Sequence, residues 1–224
     1  MILTVSEKIL EVSANEYIVA ALQTIYMSTV ALVIALVFGI AIGVLLVITN
    51  KTGIIANKQL NQVINVTVNI IRSIPFIILL TLLLPLTRLI VGTTIGSTAV
   101  IIPLVFYSVP YMARLVEATL LELDQGIFEL AKSYGASPTQ TIFKFVLPEA
   151  LPGIVLNITT LYIGLIGASA MAGYVGGGGI GAIAQIRGYN QFNTPVMIIC
   201  VVILILIVQA VQHTGLIINK KIKH

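Results

Sequence analysis

Between Arg114 and Glu149 the chain reads RLVEATLLELDQGIFELAKSYGASPTQTIFKFVLPE, and this segment carries five of the protein's eight acids: Glu117, Glu122, Asp124, Glu129 and Glu149. Its local signals alternately stop and restart a helix. Gly126 interrupts a first helix, a second is predicted over Ile127 to Tyr134, and Gly135 supplies the residue that ends it. Ser137, with Pro138 next and Gln140 three positions on, forms a capping box with Pro at the first helical position. A new helix therefore starts at once and is predicted over Thr139 to Val146. The segment reads as helix, sharp turn, helix, in contact with water.

Outward from it on both sides, charge disappears. Of 224 residues, 58% are hydrophobic and 9% charged, against roughly 45–50% and 25% in soluble globular chains. A 24.0 kDa chain of mean hydropathy +1.08 has too little polar surface to be solvated as a globule, and a bilayer is its solvent. A helix needs about 20 residues to cross a hydrocarbon core. Five charge-free intervals are candidates: Tyr17 to Asn50; Ser73 to Thr87, extended back through the uncharged stretch after Lys58; Leu89 to Ala113; Ala150 to Ile186; and Gly188 to Asn219. The second is interrupted by Arg72 and punctuated by Pro75 and Pro85. The fold class expected is an all-α integral membrane protein of five transmembrane helices, a single domain over 1–224 with a cytoplasmic segment at about 117–149.

Five spans put the termini on opposite faces. Nine basic residues (Lys51, Lys58, Arg72, Arg114, Lys132, Lys144, Lys220, Lys221, Lys223) fall on one side and three (Lys8, Arg88, Arg187) on the other. The N-terminus is thus expected outside and the C-terminus in the cytoplasm. Residues 1–16 hold Glu7, Glu11 and Glu16 against Lys8 and are not a secretory leader, so the first apolar run is expected to be retained. The net charge of +4 is scattered and suggests no nucleic-acid partner. Cys200, the single cysteine, excludes an intrachain disulfide and any metal site built on cysteines, and its place in an apolar run suits packing.

Within the spans, Ala31, Ala35, Gly39 and Gly43 recur every fourth residue, as do Gly164, Ala168 and Ala172, a spacing that lets another backbone come close. Gly176 to Gly179 with Gly181 formally contains a dinucleotide-binding pattern, but no strand precedes it and no acid follows about 20 positions on. Two readings remain for it: a flexible turn, or a re-entrant loop facing a docking partner near the outer surface. No acid lies between Tyr17 and Glu117 or after Glu149, and His213 falls near an interface, so no residue at depth suits coupling to an ion gradient. Uphill movement would need energy from another subunit.

The run Glu129-Leu130-Ala131-Lys132-Ser133-Tyr134-Gly135-Ala136-Ser137, continued by Ile142, Leu147 and Pro148, resembles the EAA motif of bacterial ABC-importer permeases, with Leu130 in place of the usual Ala. The stretches Asn69 to Leu80, Val91 to Gly96, Leu147 to Gly153 and the polyglycine turn look like the methionine-import branch of that family. The resemblance implies a type I ABC importer permease in the bacterial cytoplasmic membrane, a non-catalytic subunit without cofactor or metal, ATP and Mg residing on a partner. It implies a homodimer, two ABC ATPase subunits of the MetN type, and a substrate-binding lipoprotein of the MetQ type. Glu129, Ala131, Gly135, Ala136, Ser137, Leu147 and Pro148 would couple to the ATPase. Ser169 and Met171, with Tyr107 and Ser108, are the candidates for lining or gating the path, Met being a soft side chain that repacks readily. Another small amino acid, a dipeptide or an osmolyte remains open as cargo, and so does a pore or scaffold that needs no ATPase.

Overall fold

The computed structural model describes residues 12–51 and 53–222. Glu7, Lys8, Glu11 and Lys223 lie outside the described residues. Helix α1, Ala14–Ile48, begins at a capping box in which the Ser13 side chain accepts from the Glu16 N–H and Glu16 reaches back to the Ser13 N–H. Helices α2, Lys58–Ser73, and α3, Phe76–Leu82, are bent by 102° across Ile74 and Pro75. The break is a consequence of Pro75, which holds the residue before it extended. Then follow α4, Leu84–Val91; α5, Ser97–Leu121; α6, Gln125–Ser133; α7, the continuous run Pro138–Val175; α8, Gly179–Ile183, prolonged by π turns over Ala184–Tyr189; and α9, Thr194–Ile222.

Among the described residues four helices, α1, α5, α7 and α9, are long and apolar enough to span a membrane, and the bent α2–α3 pair makes a fifth element. The fold class is therefore as read, while three spans differ from the intervals drawn on charge. The second is not one rod but the bent pair. The third starts at Ser97, because Gly92 adopts φ +82° and ends α4. The fourth stops at Val175 and the chain turns back, leaving 179–189 as a separate half-helix.

The core lies between α1 and α5. Ala31 and Ala35 are fully buried, and a Cβ on Gly39 would stand 2.5 Å from the Met112 Cβ, so the small stripe of α1 does bring two backbones together. On α7 the second stripe is split: Ala168 and Ala172 are buried, whereas Gly164 is exposed with open space beside it. Between α1 and α7 the hydroxyls of Thr29 and Tyr162 meet at 2.5 Å. Cys200 is fully buried with Ala20, Ile180 and Val196.

Candidate functional site

The segment after α5 is built as a rigid hairpin. Asp124 caps α6 by accepting from the Gly126 N–H at 2.6 Å, so Gly126 belongs to the first turn of α6 and does not break a helix. At the far end Gly135 sits at φ +66°, donating to the Lys132 carbonyl, while the Ala136 N–H reaches the Ala131 carbonyl, both at 3.0 Å. This pair of bonds is the Schellman end, which needs a left-handed residue at Gly135. Ser137 and Gln140 then close the expected capping box, at 2.9 and 3.3 Å. The helix so started does not stop at Val146. It passes through π turns over Thr141–Val146, where the Leu147 N–H bonds the Ile142 carbonyl, and continues into the membrane as α7. Pro148 has no N–H and would clash with the carbonyl four residues back, and a wider turn just before it relieves that clash.

The hairpin has two faces. Ala131, Thr141, Ile142 and Val146 are buried towards the bundle. Glu129, Leu130, Tyr134 and Phe143 point outward, with Tyr134 76% and Phe143 66% exposed. Large apolar side chains exposed together on an otherwise polar segment mark a surface that a protein or a membrane covers. On the α1 side a cavity of about 740 Å³ separates the hairpin from the turn after α1, with Ile48, Ile54, Phe128 and Lys132 in its walls. Lys51 in that turn, Lys132, Lys144 and the end of α9, where Asn219 donates to the Pro152 carbonyl, share this end of the bundle.

A polar ladder runs from this end into the membrane along α2. Asn61 donates to the Leu46 carbonyl and the Thr49 hydroxyl of α1, and Asn65 donates to Asn61. Arg114 of α5 donates to Asn65 at 2.6 Å and Asn69 at 2.9 Å, and pairs with Glu117 at 2.5 Å. The signal for this ladder is in the sequence, an Asn at 57, 61, 65 and 69, one helical face, and charge counting passes over it.

Beyond the ladder, at the last turn of α2, Arg72 is exposed and its guanidinium stands 4.9 Å over the Tyr111 ring. Tyr111 packs on Tyr107 and Tyr107 edge-on against Phe76, each pair with centroids 5.4 Å apart. Tyr111 lies ten residues from the end of α5 and fourteen from its start, roughly 15 and 21 Å along the helix. Arg72 is thus level with Tyr111, three residues before Arg114 in α5.

The glycine turn is held, not loose. Gly176 accepts from the Gly96 N–H, the Gly179 N–H donates to Gln23 at 2.9 Å, and the Ile180 N–H donates to Thr24 at 3.0 Å. Gln23 is nine residues into the 35-residue α1, so the turn docks on that helix in the part nearer its start. Of the path candidates, Met171 is 51% exposed and Tyr107 half-buried. Ser108 and Ser169 are fully buried, their hydroxyls donating to Val105 and Ile166 of their own helices.

Residues 52–224 match the family described as "Binding-protein-dependent transport system inner membrane component". The chain is 43% identical over 205 residues to the probable D-methionine transport system permease protein MetI of Vibrio cholerae, covering 92% of this chain and 91% of that one. It is 44% identical over 171 residues to the methionine import system permease protein MetP of Bacillus subtilis, covering 76% and 77%. A crystal structure of the MetNI methionine ABC transporter in an inward-facing conformation superposes with a TM-score of 0.92 at 42% identity, over 94% of this chain and 99% of that one.

Proposed function

The chain belongs to the binding-protein-dependent transport system inner membrane components, and from that premise we propose that it is the membrane permease of an ATP-driven methionine importer. It is a multi-pass membrane subunit of a transport system, and its place is the bacterial inner membrane with the α6 hairpin and C-terminus in the cytoplasm. Two copies form the transmembrane unit, two ATPases of the MetN type bind beneath it, and a MetQ-type lipoprotein delivers the substrate from outside. ATP and Mg act on the ATPases, and this chain contributes no cofactor.

The hairpin carries the reading. A connector has no need of a Schellman end, a full capping box and outward-facing Leu130, Tyr134 and Phe143, whereas a lever pushed by a partner needs all three. Because the helix restarted at Ser137 runs without a break into α7, motion of the hairpin is delivered to a span as a rigid-body rotation. Glu129 stands on the outer face beside Leu130, placed to pair with a basic residue of the ATPase. Gly135 and Ala136 keep the turn small, and Leu147 and Pro148 mark the entry into the membrane. The path runs between the two copies, with Met171 as its gate, Tyr107 on its wall, and Ser108 and Ser169 in the packing layer behind.

Copurification tests the partnership: an ATPase retained by the wild-type chain and lost in Tyr134→Ala/Phe143→Ala supports it. Equal retention in both contradicts it.

A further inference from the structure

We propose that Arg72, set against Tyr111 and Tyr107 at the break between α2 and α3, is a transit subsite that takes the carboxylate of a zwitterionic amino acid crossing the membrane. The proposal rests on the methionine-permease reading and adds to it a point of contact for the cargo. Its first support is placement. Arg72 stands at the break between α2 and α3 over Tyr111, three residues before Arg114 on α5, and both Arg72 and Tyr111 are exposed on the surface of the single chain. In the two-copy reading that exposed surface borders the path between the copies.

The second support is the contrast with Arg114, on the neighbouring helix. Arg114 is spent on Glu117, Asn65 and Asn69 and straps α2 to α5. Among the described residues Arg114–Glu117 is the only salt bridge, so Arg72 has no carboxylate of its own there. One ring covers one side of the Arg72 cation and cannot occupy its five N–H donors, which leaves a fork suited to a planar carboxylate.

The third support is what surrounds it. Exposed Tyr111 and half-buried Tyr107 lead away from the guanidinium, with buried Phe76 packed edge-on behind Tyr107. An apolar side chain ending in a thioether finds favourable sulfur–aromatic contacts on such a surface while its carboxylate is held by the cation. One charge and one aromatic wall hold a small zwitterion without trapping it.

The test uses the complete transporter in liposomes, this chain with its ATPase and binding protein. Uptake of radiolabelled methionine and ATP hydrolysis are followed in the same vesicles for wild type, Arg72→Gln, Arg72→Lys and Tyr111→Leu. Arg72→Gln is expected to lower methionine transported per ATP hydrolysed about tenfold, the worth of a charge-assisted hydrogen bond, with the complex intact and hydrolysis within about twofold of wild type. Arg72→Lys restores part of that ratio, and Tyr111→Leu lowers it less than Arg72→Gln does. An unchanged ratio in Arg72→Gln overturns the proposal. So does a loss in which assembly, hydrolysis and uptake fall together and Lys rescues nothing, which is the signature of a structural role. Failure of the wild-type complex to take up methionine contradicts the functional reading itself, and is told apart because no substitution is involved.

Discussion

Gly135 and Gly39 both resist substitution, for different physical reasons. At Gly135 there is open space where a Cβ would stand, but the backbone is left-handed at φ +66°. Gly135→Ala is therefore expected to cost only the conformational term, about 1–2 kcal/mol, and to weaken the hairpin without disturbing the bundle. Protease sensitivity of the hairpin should rise while the thermal midpoint of the bundle stays fixed. Gly39 is an ordinary helical residue whose missing side chain makes room for Met112. Gly39→Val is expected to destabilise by about 1–3 kcal/mol or to prevent assembly, read as a lowered unfolding temperature in detergent. Met171, half exposed on α7, carries a different expectation: Met171→Ala should raise the resting leak of reconstituted vesicles, and an unchanged leak removes it as a gate. The roles of Gly135 and Ser137 are legible from sequence because caps and turns are local. The difference between Arg72 and Arg114 is not, since it lies in partners 39 to 49 positions away in the chain.

At the level of elements, local rules located starts better than continuations. The capping box at Ser137 correctly begins a helix, but nothing nearby says that it runs on to Val175, because the register is carried past Pro148 by π turns. Charge counting found the long spans and missed the 102° bend, which depends on Pro75 and on α2 being polar on one side. That polar side is the Asn ladder, and its keystone is Arg114–Glu117, whose side chains are 19% and 13% exposed. Arg114→Met leaves Glu117 mostly buried and unpaired, and is expected to cost about 3 kcal/mol. Arg114→Met/Glu117→Leu should recover much of this, measured as thermal midpoints of the purified complex. Loss in the double variant as large as in the single one would show that the ladder's Asn contacts, and not the ion pair, hold α2 in place.

For the whole molecule, the geometry gathers Lys51, Lys132, Lys144 and the end of α9 at one end of the bundle and the glycine turn towards the other. From the positive-inside rule we propose that this first end faces the cytoplasm. Cys200 is buried, so a new cysteine near the end of α9 reports alone. Lys221→Cys is expected to resist an impermeant thiol reagent in right-side-out vesicles and to react in inverted ones. The central claim is that the hairpin transmits ATPase motion to a methionine path. Its most direct measurement is ATP-dependent uptake of radiolabelled methionine by liposomes holding this chain, its ATPase and its binding protein, for wild type and Gly135→Glu. Uptake by wild type that is lost in Gly135→Glu, together with weakened or uncoupled ATPase, is the predicted result. Equal uptake by both, or none by wild type while ATP hydrolysis is stimulated, contradicts the account.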